Sequence, residues 1–131
     1  MTADTKKVLV VDDESISLML LEHLFKSLGY EVTLAKDGEE ALILFEKKTF
    51  SYVVMDFNMP KMNGLLTVKA IREIEKIKHQ KPTFIIGLTA EQSFEQRQAG
   101  LLVGMNVVHT KPVTMDALKD TLSIGVQYRD N

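Results

Sequence analysis

Cysteine is absent from the 131-residue chain. That excludes disulfide staples, thiolate metal centres and a cysteine nucleophile, and it suits a reducing, cytoplasmic setting, which is the expectation. Long apolar runs are also missing: nothing approaches the ~20 residues needed to cross a bilayer, and Met1-Thr-Ala-Asp-Thr-Lys6 lacks a signal-peptide core. No membrane role is expected. There is little excess charge of either sign, the formal balance being −2 with acids and bases interspersed. A nucleic-acid binder carries a basic stripe, and none is visible, so contact with nucleic acid by this domain is not expected. The length fits one domain over residues 1–131, with a core of about 6–125 and short flexible termini.

Short apolar runs alternate with helical patterns. Lys7–Val11 is apolar at nearly every position, as a strand covered on both faces of a parallel sheet reads, and it ends abruptly at Asp12-Asp13-Glu14. Leu18, Leu21, Phe25 and Leu28 follow at helical spacing, with Gly29 as the stop. Glu31–Ala35 reads as a second strand, and Asp37 caps a second helix with Ala41, Leu42 and Phe45 inward. Tyr52–Asp56 is a third strand ending on an acid, and Asn58–Gly64 is a loop by its Pro, Asn and Gly content. A helix over about 65–78 turns Leu65, Val68 and Ile71 inward. Thr83–Thr89 is a fourth strand, about 92–102 a fourth helix, Val107–Thr110 a fifth strand broken by Lys111-Pro112, and Thr114–Ile124 a last helix. His23 and His79 fall on solvent sides, whereas Phe94 and Leu102 are expected to be partly buried, an exposed apolar patch being the other reading.

Five strands alternating with five helices imply right-handed crossovers and a parallel sheet covered on both faces, an α/β fold. Its functional crevice lies at the carboxyl ends of the strands. That rule brings Asp12, Asp13, Asp56, Thr89 and Lys111 to one rim. Each has a bland reading alone: the acid pair as a helix cap, Asp56 as a loop cap, Lys111-Pro112 as a turn. Together, three carboxylates must raise their pKa values or hold a cation, and an all-oxygen, open site suits Mg²⁺ or Mn²⁺. A lysine, a hydroxyl and loop N–H groups would hold phosphoryl oxygens, and a carboxylate can act as nucleophile to form an acyl phosphate.

At Val10-Val-Asp-Asp-Glu-Ser15, Met55-Asp-Phe-Asn-Met-Pro-Lys-Met-Asn-Gly64, Thr89-Ala90 and Lys111-Pro112 the chain resembles response-regulator receiver domains of two-component phosphorelays. It is most similar to the chemotaxis receiver and to receivers of hybrid histidine kinases; Gly104-Met-Asn106 and Lys111-Pro-Val113 lean toward the latter. The resemblance implies a flavodoxin-like sheet of order 2-1-3-4-5, the arrangement for which this fold family is the standing example. It implies that Asp56 accepts the phosphoryl group from a histidine kinase or a histidine phosphotransfer protein. Asp13 and Asp56 would ligate Mg²⁺ with the Asn58 carbonyl, and Asp12 through a water. Lys111, Thr89, Phe57 and Ala90 would bind the phosphoryl group, with a cis bond before Pro112. Phosphorylation would switch the face formed by the fourth helix, fifth strand and fifth helix toward an unspecified output partner. Such a domain is a signalling phosphoacceptor, not an enzyme with a separate substrate.

The family usually has an aromatic switch residue three positions before the lysine, and here that position is Val108, with no ring to swing into place. His109 also replaces an aliphatic residue and reads as a hydrogen-bonded core histidine rather than a proton sensor. Other functions remain alternatives. A haloacid-dehalogenase-like phosphatase would place Asp-x-Asp after the first strand and would need a cap. A flavin carrier would need a Ser/Thr-rich loop where Asp12-Asp13-Glu14 would repel phosphate. A degenerate receiver used only for binding would not need the complete set of five.

Overall fold

In a computed structural model that describes residues 6–59 and 62–130, five strands alternate with five helices. They are β1 (Lys7–Val11), α1 (Ser15–Ser27), β2 (Glu31–Ala35), α2 (Gly38–Lys47), β3 (Tyr52–Asp56), α3 (Gly64–Lys78), β4 (Phe84–Thr89), α4 (Phe94–Val103), β5 (Val107–Thr110) and α5 (Met115–Asp130). Expectations for the chain ends at 1–5 and 131, and for Pro60 and Lys61 in the loop, lie outside the described residues.

The strands form one parallel sheet in the order β2-β1-β3-β4-β5. Period-two alternation divides their side chains between two cores. Leu9, Val11, Val53 and Met55 pack with Ala41 and Phe45 of α2 and Val68 and Ile71 of α3. Val8, Val10, Tyr52 and Val54 pack on the other face with Leu18, Leu21 and Phe25 of α1 and Leu118 and Leu122 of α5. Each fully buried large aliphatic or aromatic side chain contributes roughly 1.5–3 kcal/mol, so this two-sided burial holds the sheet without staples.

α2, α3 and α4 start where a side chain satisfies a free N–H group. Asp37 accepts from the Glu40 N–H at 2.8 Å, Asn63 from Leu66 at 2.9 Å and Ser93 from Gln96 at 3.0 Å. The last cap sets the start of α4 just beyond Gln92. α5 runs past Ile124 because Gly125 does not end it. A Cβ there would lie 2.5 Å from Tyr52 Cε1, so this glycine permits close helix–sheet approach rather than a turn. His23 and His79 are exposed, as the periodicity indicates.

Phe94 and Leu102 are not partly buried: they are 72% and 84% exposed. The reason is how narrowly α4 meets the sheet. Gly100 is its one buried residue, and Leu102 and Phe94 project ~160° and ~120° round the helix from it.

Candidate functional site: an acidic rim with one lysine

β1 ends at Val11, and Asp12 extends the ladder by one bond, its N–H reaching the Ala35 carbonyl at 3.1 Å. This buries Asp12 completely, while Asp13 beside it stays exposed. Neither acid caps α1. Glu14 holds the N-cap position without a side-chain bond, and Asp12 Oδ1 accepts the Glu14 N–H at 3.0 Å. The other carboxylate oxygens of the pair are therefore left for the rim.

Asp56 closes β3 and is 3% exposed. The loop after it turns back sharply, the Gly64 N–H donating to the Phe57 carbonyl at 3.0 Å. A Cβ at Gly64 would collide with the Asp56 carbonyl oxygen, so only glycine lets α3 begin this close to the strand end. Lys111 follows β5, and its N–H donates to the Thr89 carbonyl at 2.8 Å. Its peptide bond to Pro112 is cis.

The Lys111 ammonium lies 3.0 Å from Asp12 Oδ2, 3.1 Å from Asp56 Oδ1 and 3.9 Å from Glu14 Oε1. Residues almost a hundred positions apart thus meet at one point. One cation does not balance the acids. Burial first, then the Asp12 charge, push the Asp56 carboxyl from 3.8 up to about 6, although Lys111 and the Asn58 N–H oppose the shift. Burial alone would lower the Lys111 pKa, but its bonds and attraction to Asp12 and Asp56 hold it above its ordinary value. Carboxylate oxygens of Asp12, Asp13 and Asp56 lie within 4.8 Å of one another. An all-oxygen set with surplus negative charge, one member open to solvent, fits a hard dication that keeps several waters.

The remaining expected residues are placed less uniformly. The Asn58 N–H faces Asp56 Oδ1 at 3.4 Å. Thr89 is buried at the end of β4, its hydroxyl accepting the Glu91 N–H at 3.2 Å, and Ala90 beside it is exposed. The Phe57 N–H is engaged by the Leu88 carbonyl at 2.9 Å and its ring turns into the core. Val108 is also a core residue, 2% exposed. His109 Nε2 sits 2.6 Å from the Thr121 hydroxyl.

Sequence reasoning missed two arrangements. The Arg97 guanidinium of α4 donates to the Val108 carbonyl of β5 at 2.7 Å. Arg72 and the buried Glu75 of α3 form an ion pair at 2.8 Å beneath the sheet. The signal for the second was present: Glu75 continues the inward stripe of Val68 and Ile71, where a charge needs a buried partner.

A family model described as "Response regulator receiver domain" matches residues 8–123. The sensor histidine kinase RcsC of Salmonella typhi is 38% identical over 121 residues, which are 92% of this chain and 12% of that protein. The chain therefore spans a small part of that relative's length. Among solved structures, the chemotaxis protein CheY4 of Vibrio cholerae is 38% identical with a TM-score of 0.82, covering 92% of this chain and 98% of that one. The receiver domain of Ssk1, in a co-crystal with the histidine phosphotransfer protein Ypd1 of Saccharomyces cerevisiae, is 31% identical (TM-score 0.84; 89% and 86% covered). A sensor histidine kinase receiver domain from Pseudomonas aeruginosa, with magnesium coordinated in its active site cleft, is 28% identical (TM-score 0.79; 93% and 98% covered).

Proposed function

Because the chain belongs to the response regulator receiver domain family, we propose that it receives a phosphoryl group on Asp56 from a phosphohistidine of a kinase or phosphotransfer protein. The observation that carries this reading is the Lys111 ammonium held between Asp12 and Asp56 at 3.0 and 3.1 Å on a rim with surplus negative charge. Residues 6–125 are read as the core of one receiver domain.

With its pKa at about 6, Asp56 is mostly ionised at neutral pH and is a competent nucleophile. An Asp56 oxygen forms the new bond to phosphorus as the bond to the donor's imidazole nitrogen breaks, the nitrogen keeping the electron pair. Lys111 then exchanges its Asp56 contact for a phosphoryl oxygen, retaining Asp12. The Asn58 N–H, which faces Asp56 Oδ1, the Thr89 hydroxyl, once it leaves Glu91, and the Ala90 N–H are read as the donors to the same oxygens. Asp12, Asp13 and Asp56, with the Asn58 carbonyl, would hold Mg²⁺ or Mn²⁺, which supplies positive charge against the acids and the phosphoryl oxygens. The exposed apolar side chains of Ile16, Met19 and Leu20 on α1 lie on the helix that starts at the rim and offer ground for the donor protein. The reading includes switching of the α4–β5–α5 face toward an output partner, supported by Thr89 ending β4 and Lys111 following β5. Among the described residues no helix is long and apolar enough to cross a membrane.

Incubation with acetyl phosphate and Mg²⁺, read by mass spectrometry, tests the reading. Wild type should gain a base-labile phosphate and Asp56→Asn should gain none. Equal labelling of the two would move the acceptor elsewhere.

A further inference from the structure

With valine at position 108, β5 brings no ring to the space beside Thr89. A ring does lie between β4 and α4, and it belongs to Phe57, the residue directly after Asp56. Gly87 in the middle of β4 and Gly100 of α4 both open onto this ring. A Cβ built on Gly100 would stand 2.9 Å from Phe57 Cζ, 2.8 Å from Met105 Sδ and 2.8 Å from Val108 Cγ2. A Cβ on Gly87 would stand 3.0 Å from Phe57 Cε1 and would strike the same sulfur. Helix and strand thus approach through two bare backbones, and the slot between them is filled by Phe57, Met105 and Val108. Such close packing has no slack to absorb a displaced ring, so movement of the ring must move the helix.

The ring is also tied to the rim. The Phe57 N–H is held by the Leu88 carbonyl, next to Thr89, and its carbonyl accepts from Gly64. A backbone rotation at Asp56 is therefore delivered at Phe57 rather than lost in the loop. α4 has a second tether one turn before Gly100, where Arg97 donates to the Val108 carbonyl at 2.7 Å. A push at Gly100 therefore falls between two fixed points, Arg97 near the start of α4 and its C-cap Gly104, whose carbonyl accepts from Arg72 at 2.6 and 3.1 Å.

Resting on the phosphoacceptor reading above, we infer that Phe57 is a positioning residue that relays the state of Asp56 to α4 through the Gly87–Gly100 slot. It supplies, from the position directly after β3, the aromatic ring that position 108 lacks.

The test uses the whole chain with beryllofluoride and Mg²⁺ as the probe. Amide shifts are followed for the rim (Asp13, Asn58, Ala90) and for α4 (residues 94–103), and acetyl phosphate labelling is measured in parallel. In Phe57→Leu, at probe saturation judged from the rim amides, the α4 response should fall by about half or more relative to wild type. Phe57→Met, closer in volume, guards against misfolding and should show the same split. Gly100→Ala should displace the α4 amides before the probe is added. A role in stability alone would not separate rim from helix in this way. If the α4 response in both Phe57 variants equals that of wild type, the relay is overturned while the phosphoacceptor reading stands. If wild type itself takes no phosphate on Asp56, that reading fails and the relay with it.

Discussion

The two ends of the sheet both bury charge, and they treat it in opposite ways. At the amino ends of β4 and β5, the Arg72 guanidinium makes five hydrogen bonds. They go to Glu75 at 2.8 Å, the Thr83 carbonyl at 2.9 Å, the Asn106 side chain at 3.1 Å and twice to the Gly104 carbonyl, at 2.6 and 3.1 Å. Glu75 also accepts the Thr83 N–H at 2.8 Å, and Asn106 the Ile85 N–H at 2.7 Å. One cation meets one anion and every guanidinium N–H is used. At the carboxyl ends, Asp12 and Asp56 share one lysine with Asp13 close beside them, and burial with the Asp12 charge drives Asp56 up to about 6. A closed network of this kind braces strands. An open one is unfinished until a cation or a phosphoryl group completes it, and perturbed carboxylates of this sort mark working sites.

The largest effect expected from breaking that contrast is at the braced end. Arg72→Ala leaves Glu75 buried without its partner, and such a loss costs about 3–5 kcal/mol. Urea denaturation should show it, while Asp56 labelling of the folded fraction stays near wild type. Replacing both Arg72 and Glu75 with leucine should recover much of the loss, since no lone charge remains. A loss under about 1 kcal/mol for Arg72→Ala would mean the network does not hold the strands.

At the open end the sign reverses, and removing the charge should stabilise. Asp56 has an ordinary pKa of 3.8 and about 6 in the fold, so between those pH values the folded chain keeps a proton that the unfolded chain has lost. Stability therefore falls as pH rises through this window, and the full cost is present above it. Without divalent cations at pH 8, Asp56→Asn should be more stable than wild type by roughly 1–3 kcal/mol, and the gain should shrink toward pH 4. A variant no more stable than wild type at pH 8 would show that Lys111 already balances the rim.

Smaller again is the ligand effect. Asp13→Ala removes one carboxylate from the set within 4.8 Å and should weaken Mg²⁺ binding by about tenfold or more, measured by amide shifts on titration. Because a proton competes for Asp56, wild-type affinity should also drop as pH falls below about 6. Unchanged binding in Asp13→Ala would remove that residue from the ligand set.

Much of this architecture was legible because strand ends are legible. Val11 before Asp12, Met55 before Asp56 and Leu88 before Thr89 each mark an apolar run stopping at a polar residue, and a parallel sheet sends all such stops to one edge. Side-chain direction in α4 was not legible. Its one buried residue is a glycine, which carries no hydropathy signal, so Phe94 and Leu102 read as core although both point to solvent. The Arg72–Glu75 network was half legible. The inward stripe of α3 marks Glu75 for burial, but nothing in that segment names the backbones before β4 and β5 that the pair meets. The Phe57 slot is made of distances between β4 and α4, which no single segment encodes.

The smallest expected effect concerns His109, the residue on β5 that titrates without belonging to the rim. Burial first and the nearby Arg97 charge hold its pKa below 6.5, so it is neutral at pH 7 and bonded to Thr121. As pH falls below 6.5 the unfolded chain gains a proton there before the folded chain does, so this group makes stability fall with acidification. Asp56 acts in the opposite direction over the overlapping window, so the two partly cancel in wild type. An Asp56→Asn background removes the larger contribution and exposes the histidine. In that background, stability should rise with pH up to about 6.5 and then level off, and adding His109→Gln should flatten the rise. At pH 8 the added substitution should change stability by less than about 1 kcal/mol, because the glutamine amide can replace the bond to the Thr121 hydroxyl. Labelling of Asp56 in a His109→Gln single variant should be unchanged at pH 6 and pH 8, as befits a histidine that satisfies the packing between β5 and α5. If the single variant instead shifts the pH profile of labelling, the histidine reports to the rim, and the division between a structural and a working set of charges does not hold along β5.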